Sequence, residues 1–186
     1  MNSIRNKKDL ETTINEIKNF AYSYLEKYSP SKQQLKTHLY KKLIKSKQKI
    51  SSKKEMFDLI DVVISSLENQ NLLNDKHYSD MKSKSFLRKG YSLNKIRYSL
   101  IKKGIDGEYI KSSISKIKED EADPDFFSAI KLCKRRRIGP IREENNRTLF
   151  YKKDISILAR SGFSYELSKK ILEMPAIDFK RFCKML

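Results

Sequence analysis

The chain has 186 residues, of which 34% are charged and 38% hydrophobic, and its formal net charge is +18. The charged fraction exceeds that of an average globular domain and the apolar fraction falls short of it, but the apolar positions are regularly spaced, which excludes a disordered chain. Two cysteines exclude a disulfide framework. With no signal-peptide pattern and no apolar run long enough to span a membrane, the expected location is the cytoplasm.

Residues 1–13 read as an N-terminal tail. Ile14, Ile17, Ala21, Tyr24, Leu25 and Tyr28 then fall on one face of a first helix. Pro30 follows it, and Ser31 with Gln34 forms a capping box for a second helix. Ser52 with Glu55 opens a third, whose stripe is Met56, Leu59, Ile60, Val63 and Leu67. Three more helices are expected over 74–89, 92–103 and 106–122. Asp123-Pro124 is an N-cap followed by proline at the first helical position, and its helix runs to Arg137. The chain breaks at Gly139-Pro140, resumes over 146–161, turns, and continues over 164–173. Pro175 stops that helix, and Phe179, Phe182, Cys183 and Leu186 suggest a short amphipathic tail. No stretch alternates at period two, so the fold class is all-α.

The corners repeat. Gly–apolar–Ser/Asp occurs as Gly90-Tyr91-Ser92, Gly104-Ile105-Asp106 and Gly162-Phe163-Ser164. Glycine closes one helix in the left-handed region, and the following Ser or Asp caps the next. Around them, Ser31-x3-Leu35-x3-Leu39 returns as Ser92-x3-Ile96-x3-Leu100, 61 residues on, and more loosely as Asp154-x3-Leu158 ahead of Gly162. A period near 60 leaves room for three helices per unit. The expected layout is an elongated array of three tandem three-helix repeats at 14–73, 74–122 and 123–174, with a tail at 175–186.

Nothing assembles into a catalytic or metal site. His38 and His77 fall in different repeats, Cys133 and Cys183 occupy helical positions suited to small buried hydrophobes, and no phosphate-binding glycine loop is present. The acidic run Glu119 to Asp125 places negative charge at the N-terminus of the Asp123 helix, and Lys134-Arg135-Arg136-Arg137 places positive charge at its other end. Neither an enzymatic activity nor a cofactor is expected.

Positive charge is spread along the chain, at +5 for residues 1–75, +6 for 76–122 and +7 for 123–186. Such a surface suits a polyanion or an acidic protein groove. Lysines outnumber arginines 31 to 10, which an AT-rich genome alone could produce, but five of the arginines crowd between Arg135 and Arg147. Lys102-Lys103 and Arg160 hold equivalent places in the last turn before a corner glycine, Lys41-Lys42 match them in the first repeat, and Arg88-Lys89 precede Gly90. Compensation of the helix dipole favours the same residues there. The candidate contacts are Arg88, Lys89, Arg97, Lys102, Lys103, Arg135, Arg136, Arg142, Arg147, Lys152 and Arg160. Arg142 and Arg147 flank an expected loop, where their side chains are free to reach phosphate or carboxylate.

Several of these segments together resemble the RecX family, regulators of the bacterial recombinase RecA. The residues are Leu72-Leu73-Asn74-Asp75-x-x-Tyr78, then Arg88-Lys89-Gly90-Tyr91-Ser92 with Ile96-Arg97-x-x-Leu100-x-x-Lys103-Gly104-Ile105, and finally Leu158-x-Arg160-x-Gly162-Phe163-Ser164-Tyr165-Glu166. The resemblance covers roughly residues 15–173. It implies three tandem three-helix units, and a monomer that binds the RecA–DNA filament along its groove or at its growing end, limiting ATP hydrolysis and strand exchange. It brings no catalytic residues. Two features depart from the pattern: the first repeat has no corner glycine at Leu43, and the tail from Phe179 extends past the resemblance. The alternative that composition leaves open is a sequence-independent, DNA-binding helical protein without a recombinase partner. An enzyme acting on nucleic acid would rest on the acidic run alone.

Overall fold

The computed structural model describes residues 7–46 and 52–186. Among them the chain is helical throughout, without a strand, as expected. Ten helices follow in order: α1 (Lys7–Leu25), α2 (Lys32–Lys45), α3 (Lys53–Asn69), α4 (Asp75–Arg88), α5 (Leu93–Ile101), α6 (Gly107–Asp120), α7 (Pro124–Arg136), α8 (Glu144–Arg160), α9 (Tyr165–Leu172) and α10 (Ala176–Lys184). A 3-10 turn at Gly139–Ile141 lies between α7 and α8.

Backbone contacts divide the chain into two compact units: residues 1–78 with 103–105, and residues 79–102 with 106–186. The first unit corresponds closely to the first expected repeat. The second contains most of the second repeat together with the third and the tail.

In the first unit α1, α2 and α3 pack mutually. Ile17 and Ala21 of α1, Leu35, Leu39 and Leu43 of α2, and Leu59, Ile60, Val63, Ile64 and Leu67 of α3 form its core. Ser31 caps α2 by accepting from the Gln34 N–H, while Gln34 Oε1 accepts from the Ser31 N–H at 3.1 Å, a reciprocal capping box. Ser52 accepts from the Glu55 N–H at 3.1 Å at the start of α3. Two boundaries differ from expectation. Helix α1 already runs at Lys7, within the expected tail, whose residues 1–6 lie outside the described residues. Tyr28 lies beyond the end of α1 and is 57% exposed, its ring 4.9 Å from that of Tyr24, so it belongs to no core stripe.

In the second unit α7 packs on α9 and α10, and α8 on α9. Phe126, Ile130, Leu132, Cys133, Leu158, Phe163, Ile171 and Phe179 are among its core residues. The expected tail is helix α10: Phe179 is 1% exposed, and the Phe182 ring meets Phe126 edge-on at 4.9 Å. Nearer the N-terminus of this unit, Leu87, Ile96, Leu100, Ile110, Ile114 and Ile117 are buried on α4, α5 and α6. A polar seam joins α4 to α6, in which Ser113 meets Ser79 at 2.8 Å and Asp80 at 2.6 Å.

The corners close as their sequence requires. At Gly90 (φ +71°) the Tyr91 N–H donates to Phe86 O at 3.1 Å, and at Gly162 (φ +88°) the Phe163 N–H donates to Leu158 O at 3.3 Å, the six-to-one bond of a Schellman turn. The same bond ends α3 through Asn71 (φ 56°) and α7 through Arg137 (φ 53°), corners that carry no glycine. Ser92, Asp106 and Ser164 then cap α5, α6 and α9.

Repetition extends to packing. In the first unit Ser31 Oγ donates to Lys103 O at 2.7 Å, and the Lys32 N–H donates to Asp75 at 2.8 Å. In the second, the Ser92 N–H donates to Ser161 O at 3.2 Å, and the Leu93 N–H donates to Asp125 at 2.7 Å. Each time, a helix start donates to a corner carbonyl and to a carboxylate from later in the chain. The third sequence copy does not share this role. Asp154, aligned with the capping Ser31 and Ser92, lies inside α8 rather than at its start, because α8 begins at Glu144.

Candidate binding surface

Six of the sequence-selected cations, Arg88, Lys89, Lys102, Arg135, Arg136 and Arg160, lie in the last turn of a helix or directly follow one, and all are exposed. Position explains part of this, because unpaired carbonyls at a helix C-terminus favour cations. Arg97 and Lys152 project from the exposed faces of α5 and α8. Among the described residues, none of these eight side chains forms an ion pair, so their charge is not consumed internally. Arg160 Nε donates to Ser156 O at 3.1 Å within its own helix. Lys103 is half-buried, and its carbonyl receives Ser31 Oγ.

Arg142 and Arg147 differ from expectation, since neither is free. Arg142 forms a fork with Asp154: Nε donates to Oδ2 and Nη2 to Oδ1, each at 2.8 Å. Its guanidinium carbon lies 4.6 Å from the centre of the Phe150 ring. The Asp154 side chain is only 2% exposed and also accepts the Gly139 N–H at 2.9 Å. The hydrogen bonds that Arg142 donates to Asp154 raise the guanidinium pKa above its ordinary value. Arg147 donates to Leu172 O and Met174 O, both at 2.9 Å, closing the end of α9. A break flanked by arginines looks like an open loop in sequence, but here they tie the 3-10 turn and the α9 end to α8. A buried aspartate at Asp154, one helical stretch along, is the signal that could have revealed the pairing.

The remaining titratable groups match structural roles. Burial pushes the Cys133 thiol up to about 12, which makes it a poor nucleophile. Among the described residues, no group of three or more His, Cys, Asp or Glu side chains is arranged to hold a metal. No helix among them is long and apolar enough to cross a membrane.

One surface feature escaped the charge-based reading. Helix α5 exposes Tyr98 (61%) and Ile101 (55%) between Arg97 and Lys102, and Lys102 Nζ lies 5.1 Å from the centre of the Tyr98 ring. The sequence carried the signal: with Ile96 and Leu100 on the core side, α5 has more large apolar residues than one buried stripe holds.

No family model matches the chain. Among curated proteins, it is 29% identical over 163 residues to the regulatory protein RecX of Myxococcus xanthus (strain DK1622), covering 84% of each. It is 31% identical over 134 residues to the regulatory protein RecX of Clostridium perfringens (strain 13 / Type A), covering 72% of this chain and 61% of that one. Among solved structures, the RecX crystal structure from Lactobacillus salivarius superposes with a TM-score of 0.58 at 20% identity, over 88% of this chain and 96% of the other. A second, a crystal structure of regulatory protein RecX, gives a TM-score of 0.56 at 19% identity, over 92% and 79%. These structures share the all-helical fold. Sequence relatives bearing one name, aligned across most of this chain, agree with the corner motifs that first suggested the family: the chain is similar to the RecX regulatory proteins over most of its length.

Proposed function

We propose that this protein regulates a RecA-type recombinase by binding the recombinase–DNA filament and restraining its ATP hydrolysis, extension and strand exchange. The observation that carries the reading is the set of exposed, unpaired cations Arg88, Lys89, Arg97, Lys102, Arg135, Arg136, Lys152 and Arg160 in a chain whose relatives are named as regulatory proteins. The mechanism is differential binding. A ligand shifts an equilibrium only by its difference in affinity between two states, so a protein that grips one filament arrangement opposes every step that leaves it. Fixed positive charge supplies attraction to phosphate and to acidic protein surface without a chemical step. We propose further that the three tandem repeats set the spacing of these contacts, and that the protein acts as a monomer without a cofactor.

The test is co-sedimentation with RecA filaments on single-stranded DNA, beside the same DNA without RecA, across a salt series. Filament regulation predicts binding that persists at a salt concentration where binding to bare DNA is lost. Equal affinity for both would instead favour a DNA-binding protein without a recombinase partner. About six phosphate contacts on single strands then give a log–log salt slope near −4.

A further inference from the structure

Helix α5 (Leu93–Ile101) has two apolar sides but a core on only one. Ile96 and Leu100 are fully buried. On the opposite side Tyr98 and Ile101, three positions apart and therefore neighbours on the helix surface, expose 61% and 55% of their area. Exposed Arg97 stands on one flank of this pair, and Lys102, with its Nζ above the Tyr98 ring, on the other. Tyrosine and arginine around an apolar centre are the residue types that dominate binding energy at protein interfaces. The helix contains no acidic residue, so an acidic rim on a partner would meet only attraction.

We propose that the Tyr98–Ile101 face of α5 is a protein-docking surface, and that its occupant is an apolar segment with acidic flanks on the recombinase itself rather than the DNA of the filament. This rests on the proposed function and deepens it by separating contacts to protein from contacts to phosphate. Charge complementarity with Arg97 and Lys102 calls for an acidic rim on the occupant, and the exposed aliphatic residue makes that occupant protein: Ile101 offers nothing to a phosphate and little to a stacked base, whereas desolvating it against an apolar partner is favourable. The aromatic pair on α2 and α3 lacks the pattern. The Tyr40 and Phe57 rings stack on one another at 5.0 Å, and Phe57 shares α3 with the carboxylates Asp58 and Asp61.

The test compares the double variant Tyr98→Ala, Ile101→Ala with wild type on two probes: RecA filaments assembled on poly(dT) with a slowly hydrolysed ATP analogue, and poly(dT) alone. Both residues are exposed and alanine favours helix, so the far-UV CD spectrum should be unchanged. Ile177→Ala, which removes a 78% exposed side chain from α10, is the control and should bind both probes as wild type does. The expected result is at least tenfold weaker filament binding by the double variant, with affinity for poly(dT) alone within twofold of wild type. An equal loss on both probes would overturn the proposal by making the face a nucleic-acid contact. Undiminished filament binding by the variant would also overturn it, while leaving filament regulation standing. Wild type binding the filament no better than bare poly(dT) would remove both, and is recognised without the variant.

Discussion

Asp154 shows how one side chain decides the role of another. It is almost fully buried, and its two oxygens satisfy the Arg142 fork and the Gly139 N–H. Removing one partner of such a pair strands the other without compensation. Asp154→Ala should therefore lower the stability of its unit by about 3–5 kcal/mol in urea denaturation, well above the usual effect of a surface substitution. A change within about 0.5 kcal/mol would mean the fork carries no structural weight and would return Arg142 to the free contacts. His38 makes a second prediction. It stacks on Tyr24 at 3.9 Å, and burial, followed by the Lys42 charge, lowers its pKa from 6.5. The fold thus prefers neutral His38. Its contribution is present above pH 6.5 and is lost as pH falls through the lowered value. Stability should decline on acidification from 6.5, and His38→Phe, which keeps an aromatic ring there without a titrating group, should flatten that decline in urea titrations at successive pH values.

At the level of elements, the corners were the most legible part of the sequence. Glycine in the left-handed region followed by a capping Ser or Asp leaves a local signature that needs no tertiary knowledge, and Gly90, Gly104 and Gly162 all have it. Gly162 is constrained further, since a Cβ there would run into Ser92 Oγ and the Lys95 side chain. Gly162→Ala should cost about 2 kcal/mol or more in thermal or urea unfolding, from left-handed strain plus the clash. Gly107, with open space around it in the first turn of α6, should instead gain up to about 1 kcal/mol as alanine. Equal effects at the two positions would mean that corner packing is unimportant. Asn71 carries the weaker signal, since asparagine is the usual alternative to glycine at such a corner, whereas Arg137 was not legible, because a residue forced into the left-handed region by its surroundings leaves no compositional trace. The extent of α8 was legible to within two residues, but the role of Asp154 inside it was not. The pattern Asp154-x3-Leu158 imitates the Ser31 and Ser92 starts, whereas the carboxylate is used inside the helix for an arginine. Charge density marked candidate contacts but could not tell Arg160 on the surface from Arg147 on the α9 carbonyls. That difference is tertiary.

At the scale of the whole molecule, positive charge distributed along the entire sequence is the property that function must explain. Exposed Lys102 and half-buried Lys103 follow α5 at the Gly104 corner. Reversing both to glutamate should weaken inhibition of the recombinase several-fold without altering the helical CD spectrum; unchanged inhibition would remove that corner from the contact surface. The most direct measurement of the central claim is RecA's ATPase on single-stranded DNA at physiological salt, with this protein added at substoichiometric ratios. The account predicts inhibition well below one copy per RecA protomer, at concentrations that leave bare DNA largely unbound. ATPase activity that stays unchanged until the DNA itself is saturated would contradict it.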